Sequence, residues 1–94
     1  MMIITKKEFL IRSGLQVQTL ELWIEQEWVV PAETPSGPGF SDADVARAHL
    51  IRELSEKVGA NDAGIDVILH LIDQMHGMRR AFEQLQSELR DKGI

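Results

Sequence analysis

Apolar residues in the first 26 positions predict two short helices joined by a glycine. Thr5 and Glu8 have the spacing of a capping box, in which a hydroxyl and a carboxylate each bind a free backbone N–H at the helix start. The first helix is therefore expected at about 6–13, and Gly14 would supply the left-handed residue that often follows a helix. A second helix is expected at about 17–26. Two short helices with a tight, glycine-containing connection are the helix-turn-helix pattern.

The second predicted helix has an apolar face and a polar face. Leu20, Trp23 and Ile24 recur at helical spacing and form its predicted core stripe. The outward face combines carboxylates with one leucine. Its candidate partner-binding residues are Gln18, Glu21, Leu22 and Glu25. An apolar centre with a charged rim is typical of a protein interface.

A short strand and a wing are predicted after the second helix. Residues 28–30 have strand character, and Pro31 is expected to end the strand. All three prolines of the chain lie in residues 31–39, together with two glycines, which predicts a turn or wing. Phe40 would form a short return strand that attaches the wing to the core.

Two longer helices are predicted in the remainder of the chain. The third would run from about 42 to 58, where Gly59 stops it, and Asn61 would cap a last helix at about 62–91. With 94 residues the chain is expected to form one domain. The predicted fold is all-α: a winged helix-turn-helix at 1–60 with a small two-strand wing, and a long C-terminal helix at 61–94 within the same domain.

An apolar seam follows the last helix. Its members alternate steps of three and four residues, as in a heptad repeat: Ile68, Leu71, Met75, Met78, Phe82, Leu85 and Leu89. The seam either packs on its own domain or associates with a partner helix, and three repeats are marginal for a coiled coil that stands alone. In a homodimer, the residues expected to self-associate are Met78, Phe82, Leu85 and Leu89.

Composition limits the classes of function. The formal net charge is −5 and the sequence pI is about 5.1, whereas duplex-binding domains are usually basic. There is no cysteine, which excludes disulfides and thiolate metal sites. No apolar run approaches the roughly 20 residues that span a bilayer, and the first residues are too short for a signal peptide. A cytoplasmic location is therefore expected, without membrane association.

The negative charge is concentrated in residues 16–46, which contain no Lys or Arg. The acidic residues there are Glu21, Glu25, Glu27, Glu33, Asp42 and Asp44. This stretch covers the second helix and the wing, where a DNA-binding winged helix would carry positive charge. It is either a solvated face or a surface for a basic partner, and direct nucleic-acid binding is not expected.

No pattern of catalytic or metal-binding residues stands out. His70 and His76 are six residues apart, so they lie on different sides of a helix, and no pair has the i, i+4 metal spacing. His49 is remote from both. No metal, cofactor or enzymatic activity is expected.

The order of these segments resembles the MerR family over nearly the whole chain. The shared features include the Gly14-containing turn, the Thr19 and Leu20 pair and the Phe40 to Asp44 cap. The family pattern has an Arg directly after the Thr-Leu pair, where this chain has Glu21, and a further Arg in the wing, which has no base here. Both usual phosphate-contacting positions are therefore lost.

The chain is more closely similar to the CbpM-type chaperone modulators, which are short bacterial relatives of MerR regulators. The shared features are the length, the Val29 to Pro31 segment, the cap beginning at Phe40, and Gly64 and Ile65 near the start of a last helix with a polar end. The resemblance implies a modulator that binds the J domain of a CbpA-type, DnaJ-related co-chaperone. It would inhibit both the co-chaperone activity and the DNA binding of that protein.

Two alternative functions use other residues. A MerR-like DNA-binding transcriptional regulator would need basic residues outside the acidic stretch: Lys6, Lys7, Arg12, Arg47 and Arg52. A dimerisation or adaptor module would act through the seam of the last helix.

Overall fold

The structure, a computed structural model, describes residues 2–93 and contains four α-helices and one small sheet. The elements in chain order are β1 (Ile4–Thr5), α1 (Lys6–Ser13), α2 (Val17–Glu25), β2 (Ala32–Thr34), β3 (Gly37–Phe40), α3 (Asp42–Glu53), a π-helical turn (Leu54–Val58) and α4 (Asp62–Asp91). The predicted helix boundaries are correct to within one residue, except that the last turn of the third helix is π-helical.

Local hydrogen bonds explain where α1 begins and where the chain turns towards α2. Thr5 Oγ1 accepts from the Glu8 N–H at 3.2 Å, which satisfies one free donor of the first turn. The Glu8 carboxylate accepts from Arg12 at 3.2 Å instead of from a backbone N–H, so only the Thr5 half of the predicted capping box forms. Gly14 has a φ of 72° and its N–H bonds to the Leu10 carbonyl at 3.0 Å. A residue without a Cβ adopts this left-handed conformation without strain, so the tight connection forms as predicted.

The prediction of an all-α fold with a two-strand wing is wrong, because the sheet has three strands and the architecture is mixed α/β. The strand order is β1-β3-β2, with both pairs antiparallel. Ile4 lies opposite Phe40 and Thr5 opposite Gly39 in the first pair, and Ala32 lies opposite Gly39 in the second. The N-terminal residues therefore add a strand to the wing.

The predicted strand at residues 28–30 is also wrong, since β2 begins only at Ala32. The N–H groups of Trp28 and Val29 both bond to the Trp23 carbonyl, at 2.9 and 3.4 Å. These bonds close the C-terminal end of α2, so the chain folds back instead of extending. The side chains of Trp28 and Val29 are buried in the core, although the residues do not form a strand.

The wing hairpin is built largely from small residues. Strand β3 consists of Gly37, Pro38 and Gly39 followed by Phe40. Thr34 Oγ1 donates to the Gly37 carbonyl at 2.6 Å and closes the turn between β2 and β3. The only large side chain of β3 is therefore the one that enters the core.

One hydrophobic core joins the helix-turn-helix, the sheet and the beginning of α4. Phe9 and Phe40 are fully buried and stacked, with ring centroids 4.4 Å apart and planes inclined by 19°. The buried apolar residues are Ile4, Phe9, Leu20, Trp23, Trp28, Val29, Phe40, Ala48, Ile51, Ile65 and Leu69. The stacked pair holds the sheet against α1, because each ring comes from a different element.

Helix α3 starts at a reciprocal cap. Ser41 Oγ accepts from the Asp44 N–H at 3.3 Å, and Asp44 Oδ2 accepts from the Ser41 N–H at 2.9 Å. The negative charge of Asp44 also lies at the positive end of the helix dipole. The cap predicted from the sequence is thus formed, although Asp replaces the usual Glu or Gln.

Helix α4 is about 45 Å long, at 1.5 Å per residue for its 30 residues. Its two buried side chains, Ile65 and Leu69, both lie in the first three turns. Most of the helix therefore projects from the core. Despite its length α4 is not apolar enough to cross a membrane, and neither is any other helix in the described part of the chain.

Candidate partner-binding surface

The outer face of α2 is exposed to solvent, as the sequence pattern predicts. Burial of Leu20 and Trp23 fixes the rotation of the helix about its axis. All four predicted partner-binding residues then lie at exposed positions: Gln18, Glu21, Leu22 and Glu25. Leu22 is 47% exposed in the middle of this face. The face therefore combines a solvent-accessible apolar side chain with carboxylates, a composition that suits a protein interface.

The charges of α2 are arranged against the helix dipole. The helix has no acidic residue in its first turn and no basic residue in its last turn. Glu21 and Glu25 lie in its C-terminal half, where the dipole already contributes negative charge. Glu21 pairs with Lys6 of α1 at 3.6 Å. Exposed pairs of this kind are worth only about 0–1 kcal/mol, so this end of the helix stays negative.

The turn after α2 adds a further carboxylate in an unusual backbone conformation. Glu27 has a φ of 62°, a left-handed value that residues with a Cβ rarely adopt. Its N–H bonds to the Ile24 carbonyl at 3.0 Å, and the Gln26 N–H bonds to the Leu22 carbonyl at 2.9 Å. The closed end of α2 therefore holds Glu27 in the cleft that it lines with Arg47 and His70.

Most basic side chains in the first 60 residues already contact carboxylates. Five of the six Lys and Arg residues in this range form ion pairs, and Lys7 is the sixth. The pairs are Lys6–Glu21, Arg12–Glu8, Arg12–Asp42, Arg47–Asp73, Arg52–Glu56 and Lys57–Glu53. Duplex binding needs Lys and Arg side chains that can replace counterions on phosphates. In this part of the protein, carboxylates lie beside five of the six basic side chains and reduce the positive potential that they present to a phosphate backbone.

Four residues from distant parts of the sequence form a polar cluster that sequence reasoning missed. Arg47 Nε donates to the Trp28 carbonyl, and its two terminal nitrogens donate to the Asp73 carboxylate at 2.7 and 3.1 Å. Trp28 Nε1 donates to Asp66 Oδ1 at 3.1 Å. Trp28, Arg47, Asp66 and Asp73 are called the Arg47 bridge below. The bridge ties both α3 and the turn after α2 to α4.

The Arg47 bridge changes the acidity of one of its members. The hydrogen bond from Arg47 is the largest influence, and it holds the pKa of Asp73 below its ordinary value of 3.8. Partial burial acts in the opposite direction, while the charges of Arg47, His76 and His70 lower the pKa further. A carboxyl group whose pKa is lower in the folded state stabilises the fold above its unfolded pKa. That stabilisation disappears as the pH falls through the folded pKa.

We therefore expect Asp73→Asn to flatten the acid end of the stability profile. The wild-type protein should lose the Arg47–Asp73 contribution below about pH 4, whereas the variant lacks it at every pH. The urea midpoint measured from about pH 2 to pH 6 checks this. Asp91→Asn, near the far end of α4, is the matched control and should follow the wild type. Parallel profiles for the wild type and Asp73→Asn would contradict the assignment.

The apolar seam of α4 changes its environment along the helix. Ile68 is half-buried, while the later members are exposed: Leu71, Met75, Met78, Phe82, Leu85 and Leu89. Met78 is 72% and Phe82 61% exposed. The start of the helix therefore packs on its own domain, and the four residues predicted for self-association lie on the projecting part.

Within residues 2–93, no group of three or more His, Asp or Glu side chains is placed to hold a metal ion. His70 lies in a shallow cleft of about 220 Å³ beside Glu27 and the Arg47 bridge. His76 lines a separate groove between α3 and α4. The two histidines thus face different hollows, as their spacing in the sequence predicts.

Two short helices joined at Gly14, a three-stranded sheet with a wing and a long final helix define a winged helix-turn-helix protein. A family profile described as MerR HTH family regulatory protein matches residues 4–87. The chain therefore belongs to the MerR helix-turn-helix family, which indicates a regulator and not an enzyme. A comparison with curated proteins found no match.

Proposed function

We propose that this protein is a non-catalytic modulator that binds the J domain of a CbpA- or DnaJ-type co-chaperone. Binding would inhibit the co-chaperone activity and the DNA binding of that partner by covering its J domain. The observation that supports this most directly is the outer face of α2, where Glu21, Leu22 and Glu25 are exposed on the helix of a MerR-type domain. The choice of a J domain rests on the resemblance to CbpM-type modulators.

Electrostatics favours a basic protein over nucleic acid as the ligand of this face. A phosphate backbone would meet Glu21 and Glu25, the negative end of the α2 dipole and a wing without Lys or Arg. The resemblance implies that a J domain presents a basic helical face. Opposite charges would speed the encounter and orient the two proteins, and both effects weaken as salt screens them. The exposed Leu22 would supply the apolar centre of the contact.

The proposal includes a location and an oligomeric state. The protein would act in the cytoplasm together with its co-chaperone. It would form a homodimer through the projecting half of α4, which leaves the acidic face of α2 on a different element free for the partner. Neither a cofactor nor a metal is required for this activity.

We expect the paired substitution Glu21→Lys and Glu25→Lys to weaken binding to a CbpA-type J domain by at least about tenfold. Each replacement adds two units of charge, so the formal net charge rises from −5 by four units to −1. The change reverses the attraction at the centre of the face, and tenfold corresponds to about 1.4 kcal/mol. Calorimetric titration at low and at near-physiological salt measures the effect.

The matched control is the pair Glu83→Lys and Glu88→Lys on the projecting end of α4, which changes the net charge equally. It should retain nearly wild-type affinity if the face of α2 is the contact. An equal loss of affinity in the two double variants would indicate that net charge, and not a defined face, controls binding. A wild-type protein that fails to bind the J domain at low salt would contradict the proposal. Salt-sensitive binding to duplex DNA, reduced by Lys7→Ala and Arg12→Ala, would favour the transcriptional regulator instead.

A further inference from the structure

The contacts that orient α4 are confined to its beginning. Ile65 and Leu69 enter the core. Asp66 accepts a hydrogen bond from the Trp28 indole, and Asp73 accepts from Arg47. Among the described residues, no side-chain hydrogen bond or ion pair joins the helix beyond Asp73 to another element. The direction of the remaining 18 residues of the helix, to Asp91, is therefore set by contacts over two turns.

The Arg47 bridge reaches the end of α2 as well as α4. Trp28 is 5% exposed, and its N–H closes α2 by bonding to the Trp23 carbonyl. The same residue uses its carbonyl to accept from Arg47 and its indole N–H to donate to Asp66. Directly before it lies Glu27 with its left-handed backbone. A displacement of this turn therefore acts on both polar attachments of α4.

We propose that the Arg47 bridge is a conformational latch that sets the direction of α4 and couples it to the turn at the end of α2. With the latch closed, two hydrogen-bonded points seven residues apart, Asp66 and Asp73, hold one face of α4 against the domain. With the latch open, only the apolar contacts at the start of α4 remain, made by the buried Ile65 and Leu69 and the half-buried Ile68, and the helix tilts about them. A ligand at the end of α2 would then change the position of the α4 seam, and a ligand on the seam would affect α2 reciprocally. The inference needs no particular partner and stands apart from the proposed function.

The geometry makes such a tilt measurable. Ser87 lies eighteen residues beyond Leu69, the last buried residue of α4, or about 27 Å along the helix. A tilt of about 20° at Leu69 would therefore move Ser87 by about 9 Å. Lys7 provides a fixed reference point, because it is an exposed residue of α1 in the body of the domain. The chain has no cysteine, so Lys7→Cys and Ser87→Cys introduce the only two sites for spin labels.

Pulsed electron-electron resonance on the doubly labelled full chain tests the latch. The labelled protein is mixed with an excess of unlabelled protein, which suppresses the signal from labels on two different copies. The labelled parent should give one narrow distance distribution. Trp28→Phe removes the indole donor but keeps a buried ring, and Asp73→Asn removes the charge partner of Arg47. Each variant should shift or broaden the distance distribution by several Å, and the double variant should approach a change of about 9 Å.

The control for this measurement is Arg12→Gln. It removes ion pairs with Glu8 and Asp42 that do not involve α4 and should leave the distribution unchanged. Circular dichroism and a cooperative thermal transition establish that each variant is folded. The latch is wrong if Trp28→Phe, Asp73→Asn and the double variant are all folded and keep the distance distribution of the parent. The Arg47 bridge would then have no effect on the direction of α4. The latch would also be overturned if Arg12→Gln changed the distance distribution in the same way as the bridge variants.

Discussion

Replacing Phe40 with alanine is expected to lower the free energy of unfolding by about 3–5 kcal/mol, since a fully buried aromatic ring is lost and a cavity remains. The ring stacks on Phe9, and the backbone of Phe40 pairs with Ile4, so the cavity would lie between the sheet and α1. Small domains have a total stability of about 5–15 kcal/mol. Chemical denaturation at 25 °C should therefore show a large shift of the midpoint or a substantially unfolded variant.

The control for this truncation is Val30→Ala, which also shortens an apolar side chain but at a position that is 69% exposed. It should change the stability by less than about 0.5 kcal/mol. A loss below about 1 kcal/mol for Phe40→Ala would mean that the sheet does not depend on the stacked pair. The accompanying loss of β1 pairing could be followed separately, through faster amide exchange in β3.

Phe82→Glu is expected to convert the proposed homodimer into a monomer. Phe82 is 61% exposed in the middle of the projecting seam, between Met78 and Leu85. A carboxylate at this position of a two-helix seam would be desolvated without a partner, which costs several kcal/mol. Sedimentation velocity at micromolar concentration measures the change in mass. The fold itself should be unaffected, because Phe82 has no part in the core.

Gln84→Glu is the matched control for Phe82→Glu. It adds the same charge two residues away, on a different side of α4, and should leave the dimer intact. A wild-type protein that sediments as a monomer at all concentrations would contradict self-association through the seam. So would a Phe82→Glu variant that stays dimeric.

The helices could be predicted from the sequence because their signals are local. The caps at Ser41 and Asn61 and the stop at Gly14 act over three or four residues and form as expected, whereas only the hydroxyl half of the capping box predicted at Thr5 forms. Among the strands, the return strand at Phe40 was predicted correctly, but β1 and the start of β2 were not, because strand pairing is not local. Strand β1 has two residues, too few for an alternating pattern, and exists because Phe40 brings β3 beside it.

The misplaced strand after α2 has a different cause. Apolar, β-branched residues suit both a strand and a buried turn, and periodicity cannot separate the two in a segment this short. In the structure, the Trp23 carbonyl accepts hydrogen bonds from the N–H groups of Trp28 and Val29, so the segment forms a turn instead of a strand. Tertiary contacts thus override the local preference.

The candidate site also has one part that local sequence patterns predict and one part that they do not. Helical periodicity was sufficient to place Glu21, Leu22 and Glu25 on one exposed face. The Arg47 bridge joins residues 19, 26 and 38 positions apart, and no local pattern reports such contacts. The one sequence signal was the seven-residue spacing of Asp66 and Asp73, which puts two carboxylates on one side of a helix.

Strand β3 also limits how this protein could evolve. A side chain at Gly39 would collide with Ile3 and would lie 2.9 Å from Thr34 Cγ2, and position 37 has a φ of 108° that favours glycine. A base in place of Pro38 would face Glu33 directly across the hairpin and be neutralised. The fourth residue of the strand, Phe40, is fully buried in the core. No single substitution in β3 would therefore give this strand a free basic side chain, so positive charge in the wing would have to come from β2 or from the turn between the two strands.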